Sequence, residues 1–110
     1  MIGSQVSKGQ YDKILNYINI GKEEGAEVLC GGDVNHLGGE FEEGYYIQPT
    51  IFKGHNKMRI FQEEIFGPVL AVTTFKTTEE AIEIANDTMY GLGAGVWTRD
   101  AHELYQVPRA

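Results

Sequence analysis

The stretch Pro68-Val69-Leu70-Ala71-Val72-Thr73-Thr74-Phe75, followed at once by Lys76-Thr77-Thr78-Glu79-Glu80-Ala81-Ile82-Glu83-Ile84-Ala85, decides the architecture. Its first half is apolar and β-branched, the composition of a strand. In its second half Thr77 and Glu80 have the spacing of a capping box, in which each side chain satisfies a backbone donor left open at a helix start. Ala81, Ile82, Ile84 and Ala85 then lie inside the helix so opened. A strand passing directly into a helix is the building unit of layered α/β architectures.

The pattern continues outward in both directions. Ser7 and Gln10 form an earlier capping box, and Tyr11, Ile14, Leu15 and Ile18 fall on one face of the helix it opens. Gly21 and Gly25 weaken the far end, and Glu23 and Glu24 sit poorly beside a negative helix terminus, so this helix should fade by Gly25. Residues 26–30 are a short apolar run stopped by Gly31-Gly32 and read as a strand, and the polar, glycine-rich residues 33–44 read as a loop. Residues 45–52 are rich in aromatic and β-branched types, but Pro49 makes them an edge or interrupted strand. Toward the C-terminus residues 93–98 read as another strand, and Asp100 and Glu103 open a last helix that Pro108 bends or ends. The expectation is one α/β domain over residues 1–110, a layered, parallel-type sheet with flanking helices and no internal repeat.

Composition narrows the function. The net charge is −7 and the nine basic residues form no cluster, which argues against nucleic acid and anionic membranes as partners. No apolar run approaches the roughly 20 residues that span a bilayer. A single cysteine, Cys30, excludes an internal disulfide and fits a reducing, cytoplasmic setting. Fourteen glycines in 110 residues, spread beside apolar runs, imply many tight turns.

Few residues carry chemistry. His36, His55 and His102 lie far apart and none stands at a ligand spacing from Cys30, so a metal site is not expected. Cys30 ends an apolar run, where a cysteine serves as a small buried hydrophobe rather than an activated nucleophile. Gly91, Gly93 and Gly95 precede Val96-Trp97-Thr98 rather than a helix, so they read as close-packing glycines and not as a phosphate loop. The run Gln62-Glu63-Glu64-Ile65-Phe66-Gly67-Pro68-Val69 is different. Alternate residues of an extended segment share a face, so Glu64 and Phe66 project together, a double acceptor beside an apolar plate. A ribose diol with an attached ring suits that pair. The competing reading is a charged turn with Phe66 in the core.

At these residues the chain resembles the aldehyde dehydrogenase superfamily. The similarity is carried by Glu63-Glu64-Ile65-Phe66-Gly67-Pro68-Val69, by Gly44-Tyr45-Tyr46-Ile47-Gln48-Pro49-Thr50 before it, and by Ala85-Asn86-Asp87-Thr88, Tyr90-Gly91-Leu92 and Val96-Trp97-Thr98-Arg99-Asp100 after it, in order. Gly93 stands where many members have alanine, and Pro108 departs from the usual continuous helix. The resemblance implies that Glu64 holds the nicotinamide-ribose hydroxyls and that Phe66 lies against the nicotinamide. It also implies that Gln10 and Lys13 approach the adenosine ribose. NAD or NADP would be the cofactor and a small aldehyde the substrate, and the catalytic cysteine and glutamate would lie upstream of Met1. The chain would then be part of a catalytic domain, inactive alone. It would also be prone to self-association, because strands flanking its own would lie outside residues 1–110. A non-enzymatic α/β packing or interaction module is the rival reading.

Overall fold

Ser7 opens the first helix of the computed structural model, which describes residues 2–110. Its hydroxyl accepts the Gln10 N–H at 3.2 Å, and α1 runs Lys8–Glu23 with Ile14 and Ile18 buried. The fading expected at Gly25 is a defined stop. Gly25 has a φ of +87°, its N–H reaches the Lys22 carbonyl at 3.1 Å, and the Ala26 N–H reaches the Gly21 carbonyl at 2.9 Å. These are the paired bonds of a Schellman turn, in which a left-handed residue ties off the last carbonyls. Glu24 is spent usefully: its carboxylate accepts the Arg59 N–H at 2.9 Å and so caps α2, Arg59–Gln62.

The chain divides into two compact units, one running to Thr73 and the other Thr74–Ala110. In the first, β1 (Glu27–Cys30), β2 (Thr50–Lys53) and β3 (Val69–Val72) form a sheet in the order β1-β2-β3. The class is α/β as expected. Only the β2–β3 pairing, Thr50↔Val69 through Lys53↔Val72, is parallel, while β1 runs antiparallel to β2, so the sheet is mixed. Pro49 interrupts the 45–52 run, in line with one of its two readings, but the strand beyond it is central rather than an edge. Having no N–H to give, Pro49 is tolerated because it stands just before the ladder. The expected 68–75 strand keeps only four residues, Val69–Val72.

The core lies between α1 and β2. Phe52 is fully buried, and Ile14, Ile18, Ile47, Met58, Ile60 and Ile65 gather around it. Gly21 allows the approach, since a Cβ there would stand 3.2 Å from the Phe52 ring and 3.3 Å from Ile60. The one buried polar side chain among the described residues, Thr50, is satisfied on both sides, donating to the Gln48 carbonyl and accepting the Gly32 N–H. All four β1 residues are exposed, Cys30 included. The expectation of a buried cysteine is therefore corrected: a short apolar run reads as core only where another layer covers it.

In Thr74–Ala110, Thr77 caps α3 (Thr78–Asn86) by accepting the Glu80 N–H. The Glu80 carboxylate returns to the Lys76 N–H at 2.7 Å. Asp100 caps α4 (Ala101–Gln106) by accepting the His102 and Glu103 N–H groups. The Glu103 carboxylate accepts hydroxyl bonds from Thr78 and Thr98, which ties the two helix starts together. After Gln106 the helix gives way to a 3-10 turn, Val107–Arg109, containing Pro108. The strand expected over residues 93–98 does not form. A strand needs a ladder partner, and none of the described residues supplies one there. Trp97 is 99% exposed, and no described residue of this unit is buried.

Candidate functional site

Residues Gln62 to Gly67 leave α2 as a short connection to β3, and their side chains divide by what reaches them. Glu63 is clamped. Arg59 donates to both its carboxylate oxygens, at 2.8 and 3.0 Å, and the Tyr17 hydroxyl donates at 2.6 Å. The Arg59 bonds, with help from Tyr17, hold the Glu63 carboxyl down to about 2, and the same contact raises Tyr17 above its ordinary value. Ile65 is 7% exposed and anchors the connection in the core. Glu64 and Phe66, on either side of it, are exposed. Phe66 is 73% exposed, which excludes the reading that placed its ring in the core.

The backbone here is unusual. Phe66 has a φ of +59° and is the one non-glycine residue with positive φ among the described residues. That conformation costs about 1–3 kcal/mol for a side chain with a Cβ and persists only where neighbours enforce it. The neighbours come from α1. The Gln10 side-chain amide donates to the Phe66 carbonyl, and the Lys13 ammonium donates to the Glu64 carbonyl at 3.3 Å. Gly67 lies directly on Ile14, so that any Cβ on Gly67 would overlap that side chain. On the far side the Pro68 carbonyl accepts the Thr50 N–H at 2.9 Å and leads the chain into β3.

All four residues singled out in the sequence therefore meet in one place. Glu64 and Phe66 present exposed side chains, while Gln10 and Lys13 reach the backbone that carries them. Tyr17 and Arg59 were missed. The Arg59–Glu63 spacing of four within a helical turn was a readable signal for an ion pair, whereas Tyr17 lies 46 residues from Glu63 and left none.

The other candidates carry less. Cys30 ends β1, exposed, with its Sγ 3.7 Å from the Pro49 carbonyl. Gly91, Gly93 and Gly95 have no heavy atom within 4 Å of an added Cβ, so the close packing expected of them is absent from this unit. An open groove of about 850 Å³ in Thr74–Ala110, with Phe75, Ile82, Tyr90 and Trp97 among its walls, has no Asp, Glu, His, Lys, Arg or Cys side chain in its lining. Among the described residues no three His, Cys, Asp or Glu side chains converge as metal ligands, and no helix is long and apolar enough to cross a membrane.

The family model described as the aldehyde dehydrogenase family matches residues 1–110. An aldehyde dehydrogenase of Paracoccus denitrificans is 68% identical over 109 residues, which is 99% of this chain and 22% of the relative. Among solved structures, HpcC from Thermus thermophilus superposes with a TM-score of 0.92 at 43% identity, covering 96% of this chain and 21% of that one. An aldehyde dehydrogenase of Mycobacterium tuberculosis, solved in complex with NAD+, superposes with a TM-score of 0.88 at 45% identity, covering 99% of this chain and 22% of that one. The chain thus spans about a fifth of the length of the relatives it matches.

Proposed function

Since this chain belongs to the aldehyde dehydrogenase family, we propose that it forms one wall of a nicotinamide-cofactor site in an enzyme that oxidises aldehydes to carboxylic acids. The observation that supports this reading is the paired exposure of Glu64 and Phe66 on a fixed, partly left-handed connection. A carboxylate is an acceptor on both oxygens and suits two ribose hydroxyls, and an exposed ring beside it suits the face of a flat heterocycle. Bound NAD or NADP would supply the hydride acceptor. Everything assigned to this chain is positional: Glu64 fixes the ribose, and Phe66 limits the tilt of the ring attached to it. For Gln10 and Lys13 we propose a loop-holding role rather than ribose contact, because their nitrogens are directed at the Phe66 and Glu64 carbonyls. The nucleophile and the water-activating base belong, in this reading, to other parts of the enzyme.

Two measurements test it. In the full-length enzyme carrying this chain, Glu64→Gln keeps the fold but loosens the ribose. A small misplacement at a reacting centre costs on the order of a hundredfold in rate. Unchanged kcat together with an unchanged cofactor KM would remove Glu64 from the site. The 110-residue chain by itself should form no reduced cofactor from aldehyde with NAD or NADP, because its one cysteine, Cys30, is bonded to the Pro49 carbonyl, which is neither a base for the thiol proton nor a positive charge for a thiolate. Turnover by the chain that disappears in Cys30→Ala would contradict this.

A further inference from the structure

One face of α1 reads the site connection like a ladder. Gln10, Lys13 and Tyr17 stand at spacings of three and four, on one side of the helix, and their tips meet the Phe66 carbonyl, the Glu64 carbonyl and the Glu63 carboxylate in turn. The helix and the connection therefore run antiparallel, one donor for each step. Gln10 holds the step where the backbone is left-handed, and Gly67 on Ile14 closes the next. We infer that Gln10 is a positioning residue, which acts through the Phe66 carbonyl to hold the left-handed backbone that turns the Phe66 ring outward. The inference rests on the cofactor reading for its purpose, but not for its geometry.

The chemistry of the side chain makes this separable from a purely steric role. The amide nitrogen of Gln10 is the donor, and Gln10→Glu keeps the shape while replacing that donor with a second acceptor facing a carbonyl. The experiment uses the 110-residue chain, isotope-labelled, with Gln10→Glu and Gln10→Ala as parallel variants. The amide-to-Hα distance within Phe66 is shorter at positive φ than in extended backbone, so its cross-relaxation reports the conformation directly. Both variants should lose that short distance, with amide shifts confined to residues 63–67 and helical circular dichroism retained. A short distance persisting in both variants overturns the inference.

Two probes then separate the purpose. Nicotinamide mononucleotide and adenosine monophosphate carry the two halves of the cofactor. Positioning through Phe66 weakens nicotinamide mononucleotide several-fold in Gln10→Glu and leaves adenosine monophosphate unchanged. A direct adenosine-ribose contact gives the reverse and overturns the inference. If neither probe shifts Glu64 or Phe66 in the unaltered full-length enzyme carrying this chain, the cofactor reading fails there, and the Phe66 backbone measurement still decides the role of Gln10.

Discussion

Glu63 takes two N–H bonds from Arg59 and one O–H bond from Tyr17, while its neighbour Glu64 faces outward. The three donors stabilise the ionised carboxylate, and the Glu63 carboxyl titrates at about 2, against about 4.3 for a free glutamate. Because the folded value is the lower one, the clamp contributes fully above about 4.3 and is lost as pH falls toward about 2. Arg59 and Glu63 are 51% and 37% exposed, so the effect is on the order of the connection more than on global stability. Arg59→Ala should return the Glu63 carboxyl most of the way to the ordinary range, and a carboxyl-carbon NMR titration reads it. A Glu63 midpoint that stays low in the variant would mean that Tyr17 alone provides the clamp. At this scale the outward pair was legible because Glu64 and Phe66 alternate around an apolar Ile65. The bonding of Gln10 was not, since its acceptor lies 56 residues away and no local pattern announces it.

The starts of α1, α3 and α4 are decided locally, and there the sequence was readable. Ser7, Thr77 and Asp100 each cap the helix their spacing announced, because the donor and acceptor lie within three residues. Elements that depend on remote partners were not readable. The cap of α2 comes from Glu24, 35 residues upstream, and residues 93–98 have strand composition without a partner strand. Tyr45 to Gln48 keep a single bridge, Val34↔Ile47, whose partner lies in the run read as a loop, so of the edge and interrupted readings of residues 45–52 the interrupted one holds. The C-terminus of α1 offers a clean test of a local device. At Gly25 nothing lies within 4 Å of an added Cβ, so Gly25→Ala meets only the conformational cost of φ +87°. That cost is roughly 1–2 kcal/mol, a fall of roughly 4–8 °C in melting temperature per kcal/mol for a domain this small. Gly91→Ala, with equal space and no left-handed φ, is the control and should leave the midpoint almost unmoved. Equal midpoints for the two variants in thermal denaturation would show that the Schellman turn contributes nothing.

At the scale of the whole molecule the two units differ in how well they cover themselves. The unit ending at Thr73 has a core around Phe52, whereas Thr74–Ala110 buries no described residue. In that second unit Met89, Leu92 and Trp97 are 86%, 81% and 99% exposed. Exposed apolar surface on this scale marks a contact that is not yet made. The sheet adds a second source, since its order leaves β1 and β3 as edges with Leu29 and Leu70 half exposed. Open edges pair readily with another copy, and Pro49, standing before the central strand, guards neither of them. The net charge of −7 opposes association through a repulsion that salt screens within about 10 Å at 0.1 M. The chain is therefore expected to self-associate, more strongly at higher concentration and higher salt. Light scattering coupled to size exclusion, over a concentration series at two ionic strengths, measures the mass directly. Leu29→Lys places a charge on the β1 edge and Trp97→Ser removes the most exposed aromatic ring, so the variant that restores the monomer identifies the surface responsible. A monomeric mass at every concentration and both salts would refute the expectation, and would mean that the edges and the second unit are covered by rearrangement within one copy.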